Sequence, residues 1–126
     1  MKQFKIYVEN RPGELVKISE ALGRRGINII AIASEAIHSK PFVKIVTSDV
    51  ESTRKALNVE GFKYELKEIV PVEMTDKPGE LSKVAKRLAK AKVNVESIYL
   101  LGQKNGRTQV ALVVDDVEAA REALKL

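Results

Sequence analysis

The chain has 126 residues and a formal net charge of +5, and its 44% hydrophobic and 31% charged residues are typical of a globular domain of common size. It contains no cysteine and one histidine, His38, which excludes disulfides, thiolate nucleophiles and metal sites or catalysis that need two histidines. No apolar run is long enough to span a membrane and no signal segment is present, so the expected location is the cytoplasm.

The first half of the chain predicts the element order β-α-β-β-α-β. In chain order we expect a strand over 4–8, a helix that Pro12 opens and Gly26 ends, strands over 27–37 and 42–47, a helix that Asp49 caps, and a strand over 62–66. The first helix is expected to bury Leu15, Ile18 and Leu22. This order is a split βαβ arrangement, which gives an antiparallel sheet with two helices on one face.

The second half repeats this order without its last strand. We expect a strand over 70–75, a helix that buries Leu81, Val84 and Leu88, strands over 93–101 and 108–114 joined by an Asn105-Gly106 turn, and a last helix with Val117, Ala120 and Leu124 on its buried face. Because the fourth strand is missing, the strand over 70–75 should have an open edge, and Pro71 suits such an edge. A homodimer or larger oligomer is expected to form there.

An internal repeat overrides the single-domain expectation from length. The segment NRPGEL at 10–15 recurs as DKPGEL at 76–81, and the match continues to Asn28 and Asn94. The sequence therefore predicts two domains, over 1–68 and 69–126.

The repeated Pro-Gly loops are the strongest functional signal in the sequence. A helix N-terminus presents unpaired N–H groups and a positive dipole end, which favour a carboxylate or a phosphate. Asn10 and Asn28 add polar groups at the two ends of the first helix, and an α-amino acid needs both donors and acceptors. The alternative is an ordinary helix start with a capping side chain. A cap alone does not require the second Asn, which follows 18 residues later in both repeats.

The segments ENRPGELVKISEALGRRGINI and MTDKPGELSKVAKRLAKAKVNVESI each resemble the ACT domain, a small-molecule regulatory module of amino-acid metabolism. The resemblance implies a ferredoxin-like α+β fold, with the two βαββαβ domains packed side by side into one antiparallel sheet and the helices on one face. It also implies that an amino acid binds between the strand–helix loop of one domain and the start of the second strand of the other.

Carried over residue by residue, the resemblance implies two pseudo-equivalent sites, one joining Asn10, Pro12 and Gly13 to Asn94, the other joining the 76–81 loop to Asn28. The predicted ligand-binding residues are Asn10, Arg11, Pro12, Gly13, Glu14, Leu15, Asn28, Ile29, Asp76, Lys77, Pro78, Gly79, Glu80, Leu81, Asn94 and Val95. Asp76 replaces the Asn of the family pattern, so the two sites are expected to differ. Val8 stands where serine-sensing members carry a histidine. No cofactor or metal is expected.

Apolar residues on both faces of the second strands fit two arrangements, either central strands of a joint sheet or ordinary well-packed strands. These residues are Ile29, Ile30, Ile32, Val95, Ile98, Tyr99 and Leu100.

Three functions are compatible with the sequence. The first is a non-catalytic regulatory protein that senses an amino acid, since no nucleophile–base pair, GxGxxG, P-loop or HExxH motif is present. The second is a regulatory subunit that acts on an enzyme in trans, because ENRPGEL and RRGINI also resemble the acetolactate synthase small subunit. The third is nucleic-acid binding through the basic helix face of Lys83, Lys86, Arg87 and Lys90, although the third strands lack stacking aromatics.

Overall fold

The computed structural model describes residues 1–35 and 40–126, so His38 and the turn expected around it lie outside the described residues. The chain splits into two compact units, Met1–Lys67 and Glu68–Leu126. The elements of the first unit are β1 Lys2–Tyr7, α1 Glu14–Gly23, β2 Ile29–Glu35, β3 Phe42–Thr47, α2 Val50–Val59 and β4 Lys63–Glu68. Those of the second are β5 Val70–Thr75, α3 Glu80–Lys90, β6 Val95–Lys104, β7 Arg107–Val114 and α4 Val117–Leu124.

The first unit is a four-stranded sheet in the order β2-β3-β1-β4. The β1 and β3 strands are antiparallel, with Phe4 opposite Ile45. These two residues pack with Ile18 and Leu22 of α1 and with Leu57 of α2. All five side chains are fully buried in this core. The predicted split βαβ fold is confirmed.

The second unit is a three-stranded sheet in the order β5-β7-β6, and its antiparallel ladders carry a separate core. A two-residue turn joins β6 to β7, and Asn105 and Gly106 have φ values of 52° and 72°. Positive φ at both positions identifies the type I′ turn that the Asn-Gly pair predicts. The β5 strand lies at the end of this sheet, as expected, and Pro71 sits in it opposite Ala111.

Both second helices begin at an aspartate cap. The Oδ1 atom of Asp49 accepts a hydrogen bond from the Ser52 N–H at 3.0 Å. The Oδ1 atom of Asp116 accepts one from the Ala119 N–H, also at 3.0 Å. These bonds pair first-turn N–H groups that have no partner inside the helix.

The first helices differ from the expectation in their bounds and in their first turns. The α1 helix begins at Glu14 and ends at Gly23, inside the expected limits of Pro12 and Gly26. Leu15 and Leu81, which were expected in the core, are 48% and 47% exposed. Both leucines follow the 3.6-residue period of the buried stripe, but that period does not reveal where the sheet beneath a helix ends.

Most residues of the second strands are exposed, and each of these strands lies at one end of its own sheet. Ile32, Ile98 and Leu100 are 46%, 47% and 61% exposed. The strands with a neighbour on each side are β1 and β3 in the first unit and β7 in the second.

Candidate functional site: the two Pro-Gly loops

Each Pro-Gly pair forms a tight turn that leads directly into a helix. Gly13 has φ 95° and ψ −10°, and Gly79 has φ 88° and ψ −11°. These are the angles of the third residue of a type II turn, which follows a proline and requires positive φ. In the second loop the Glu80 N–H donates to the Lys77 carbonyl oxygen across this turn at 3.4 Å. The Pro-Gly pair therefore produces the same type II turn in both units.

The helices that follow these turns begin without a capping side chain, because the residue at each cap position is the glycine itself. Asp49 and Asp116 show what a capping carboxylate does in the same fold. The first turns of α1 and α3 therefore present backbone N–H groups at the positive end of the helix dipole.

The polar residues that open the two loops are exposed and are not used as caps. Among the described residues, none hydrogen-bonds to the Asn10 side chain. In the second loop Asp76 takes its place, and its Oδ1 atom accepts a long hydrogen bond of 3.4 Å from Nε2 of Gln103. The capping alternative raised by the sequence therefore does not account for either side chain.

The Glu14 side chain contacts the backbone and two basic side chains around the first loop. Its Oε1 atom accepts a hydrogen bond from the Glu9 N–H at 3.0 Å, and its Oε2 atom lies 2.9 Å from Nζ of Lys17 and 3.5 Å from Nε of Arg11. The hydrogen bond from the Glu9 backbone and the one from Lys17 lower the pKa of Glu14 to about 2. This carboxylate is only 8% exposed and shapes the loop.

Glu80, the counterpart in the second loop, faces two lysines. Its Oε1 atom lies 3.4 Å from Nζ of both Lys77 and Lys83. Partial burial by itself would raise the pKa of Glu80, but the positive charges of Lys83 and Lys77 outweigh it, and the pKa is lowered. The carboxylate is therefore ionised at neutral pH and offsets part of the positive charge around the helix start.

Asn28 and Asn94 are held in place by their backbones, while their side chains are exposed. The Asn28 N–H donates to Oγ of Ser48 at 3.3 Å, and its carbonyl oxygen accepts from the Ser48 N–H at 3.0 Å. The Asn94 N–H donates to Oδ1 of Asp115 at 2.9 Å, and its carbonyl oxygen accepts from the Asp115 N–H at 3.1 Å. No described residue hydrogen-bonds to either asparagine side chain.

A single unit does not bring its two predicted asparagines together. Asn10 follows the end of β1 at Tyr7, whereas Asn28 is bonded to Ser48, which lies beyond the other end of that strand, where Gln3 pairs with β3. A six-residue strand separates the two ends by about 20 Å. The second unit repeats this separation between Asp76 and Asn94. A ligand the size of an amino acid cannot touch both ends of one unit.

Two clefts open beside the loops. The first, of about 770 Å³, is lined by Val8, Asn10, Lys40 and Lys63, with Tyr7 and Glu65 beside them. Burial, together with the hydrogen bond to Glu65 and its charge, raises the pKa of Tyr7.

The second cleft, of about 300 Å³, contains Asp76, Lys77, Glu80 and Leu81 from the predicted set. Sequence reasoning missed two polar residues that line it, Gln103 and Thr108. They pair across the hairpin whose turn the sequence does predict.

The structure can be compared with three other kinds of function: metal binding, membrane insertion and nucleic-acid binding. No group of three or more histidine, cysteine, aspartate or glutamate residues within 1–35 and 40–126 could hold a metal ion. The longest helix in the described part of the chain, α3, has 11 residues, and no helix there is long and apolar enough to cross a bilayer. The basic residues of α3 are exposed, and Lys83 pairs with Glu80.

Comparison with known proteins identifies the first unit. Residues 2–59 match the ACT domain family. The first unit of this chain is an ACT domain. The second unit has the same Pro-Gly motif and the same strand–helix order with one strand fewer. No curated protein matches the chain significantly.

Several solved structures share the fold of the whole chain. Protein BT0572 from Bacteroides thetaiotaomicron is 27% identical with a TM-score of 0.89, over 98% of this chain and 85% of that one. The ligand-free regulatory subunit of aspartate kinase from Thermus thermophilus is 21% identical with a TM-score of 0.70, over 98% and 87%. The corresponding subunit from Thermus flavus is also 21% identical, with a TM-score of 0.68, over 98% and 90%. The two aspartate kinase subunits show that the fold is shared.

Proposed function

We propose that this chain is a non-catalytic regulatory protein that binds an amino acid through its two Pro-Gly loops. The observation that carries the proposal is the repeated helix start, which has no capping side chain and is preceded by an exposed Asn10 or Asp76. Backbone N–H groups there suit the carboxylate of the ligand, and the oxygens of Asn10 or Asp76 suit its ammonium group.

Each complete site is proposed to need two units. Asn10 and Asn28 lie at opposite ends of the same sheet, so a loop of one unit requires the asparagine of another. We therefore propose the pairings of Asn10 with Asn94 and of Asp76 with Asn28. Asp76 gives the second loop a negative charge that attracts an ammonium group and repels a carboxylate, which supports unequal affinities for the two sites.

A regulatory protein without a catalytic site must act on another protein. We propose that this chain binds and regulates a separate enzyme of amino-acid metabolism. The fold shared with two aspartate kinase regulatory subunits supports a role of this kind. A regulatory subunit like that of acetolactate synthase is the second candidate, on the resemblance of ENRPGEL and RRGINI. The β5 edge is the proposed surface for self-association, and the cytoplasm is the proposed location.

The test is a binding screen with the twenty L-amino acids by thermal shift and calorimetry, with a short single-stranded RNA as the alternative ligand. A ligand at about 100 times its Kd stabilises the native state by about 2.7 kcal/mol, which raises the Tm by several degrees. The double substitution Asn10→Ala with Asn94→Ala is expected to abolish the shift at the first site. Asn58→Ala is the control, because Asn58 is an exposed asparagine of α2 that belongs to neither loop and accepts a hydrogen bond from the Tyr64 hydroxyl group.

The proposal fails if none of the amino acids binds to the wild-type chain. The site assignment fails if an amino acid binds and the Asn10→Ala, Asn94→Ala variant, with an unchanged circular dichroism spectrum, retains full affinity at both sites. A shift with RNA alone would favour the nucleic-acid alternative.

A further inference from the structure

The cleft under the second Pro-Gly loop has an apolar wall and a polar end. The wall includes Leu81 of α3 with Ile98 and Leu100 of β6, which are all close to half exposed or more. The volume of the cleft, about 300 Å³, is at the lower limit of small-molecule pockets. A space of this size and character suits one compact apolar side chain that carries a polar group.

At the polar end lies a buried hydroxyl group without a partner. Thr108 of β7 is 8% exposed, and no described residue hydrogen-bonds to its Oγ1 atom, which is shielded from solvent. Buried polar groups are almost always paired, because an unpaired one keeps the full cost of its lost hydration. Thr108 is therefore a polar group in the cleft wall that the protein itself leaves unsatisfied.

Gln103 is the cross-strand neighbour of Thr108 and lines the same cleft. In the sheet, Thr108 lies between Gln103 on β6 and Met74 on β5. The Gln103 side chain donates to Asp76, which follows the end of β5 two residues beyond Met74. The bond is 3.4 Å long and joins two exposed side chains, which makes it weak and easily replaced.

We propose that this cleft binds an aliphatic α-amino acid whose ammonium group displaces the Gln103 amide from Asp76 and reaches the Thr108 hydroxyl oxygen. The ammonium group has three donors, so it can satisfy both oxygens at once. The aliphatic side chain lies against Leu81, Ile98 and Leu100, and the carboxylate faces the first turn of α3. The inference rests on the proposed function, and it adds the class of ligand and three residues that select it: Gln103, Thr108 and Leu100.

The first unit lacks the counterparts of two of these residues, Thr108 and Leu100. The register places Pro41 where the second unit has Thr108, and Ser34 where it has Leu100. Neither replacement keeps the function of the original, since proline has no hydroxyl group and serine no apolar side chain. The preference for an aliphatic ligand therefore belongs to the second unit.

The experiment compares L-leucine with L-serine in calorimetric titrations of the full chain and three variants. Thr108→Val removes the hydroxyl group at nearly constant shape, and it should lower the affinity for L-leucine about tenfold while raising the Tm. Gln103→Ala removes the competing amide and should raise that affinity several-fold. Leu100→Ser should lower the ratio of leucine to serine affinity about tenfold.

Thr47→Val is the matched control, because the Thr47 hydroxyl group is bonded to Thr53 at 2.7 Å. This variant should lower the Tm and leave the affinity of the second site unchanged. Thr108→Val, in contrast, should raise the Tm and lower the affinity for L-leucine. A residue with a purely structural role does not give this combination.

The outcomes separate this inference from the proposed function. If an amino acid binds through Asn10 and Asn94 but the three cleft variants keep wild-type affinity and selectivity, only the present inference fails. It also fails alone if the chain binds L-serine or L-aspartate and does not bind L-leucine. If no amino acid binds, both fail.

Discussion

Replacing Gly13 by alanine should destabilise the first unit, and replacing Gly23 by alanine should stabilise it. Gly13 has φ 95°, whereas Gly23 ends α1 and has no positive φ. No described atom lies within 4 Å of the place where a Cβ would stand at either position, so neither alanine clashes. The two variants therefore differ in backbone conformation alone.

The magnitudes follow from this difference. An L-residue in the left-handed region costs about 1–2 kcal/mol, and the stiffer unfolded chain returns about 0.4–1 kcal/mol. Gly13→Ala should thus lose about 1 kcal/mol, while Gly23→Ala gains about 0.5 kcal/mol because alanine has the higher helix propensity. For a unit of this size the gap corresponds to about 6–12 °C in Tm.

The assay is urea unfolding followed by circular dichroism, with both variants compared in the same transition. Gly13→Asn should recover part of the loss, because asparagine tolerates the left-handed region better than alanine. Equal midpoints for Gly13→Ala and Gly23→Ala, or a stabilised Gly13→Ala, would refute the type II turn as the reason for the Pro-Gly repeat.

Three further outcomes are expected. The pKa of Glu14 is lowered from 4.5 to about 2, so the ionised carboxylate stabilises the fold fully above pH 4.5, and this stabilisation is lost as the pH falls toward 2. The urea midpoint of the wild-type chain should therefore fall over that range, and it should fall less in Glu14→Gln. Leu57→Ala, at a fully buried position, should cost about 2–5 kcal/mol, whereas Leu15→Ala, at a half-exposed one, should change the free energy of unfolding by under about 1 kcal/mol. Asp116→Ala should cost the second unit about 1 kcal/mol through loss of its helix cap, measured by the same unfolding assay.

Local rules made most of the fold predictable. The bounds of β3 and β5 match the predicted ranges 42–47 and 70–75, because alternation and turn residues mark both ends. The Asn105-Gly106 turn and the Asp49 cap were also predicted, since one or two residues determine each conformation.

Features that depend on distant strands could not be read in this way. The exposure of Leu81 depends on where the sheet beneath α3 ends. The cleft around Thr108 depends on the register of three strands, which places Gln103 and Met74 on either side of one threonine. The two-residue turn determines the pairing of Gln103 with Thr108, but the pairing of Met74 with Thr108 joins strands that are distant in the chain, and no local pattern determines it.

The duplicated loop also has an evolutionary consequence. In a symmetrical dimer built from one repeat, a single codon change alters both copies of the loop together. Here both loops belong to one chain, so Asn10 and Asp76 have diverged while the Pro-Gly turn that supports each has been kept. One loop can therefore change by mutation while the other stays the same, so selection can act on each loop separately.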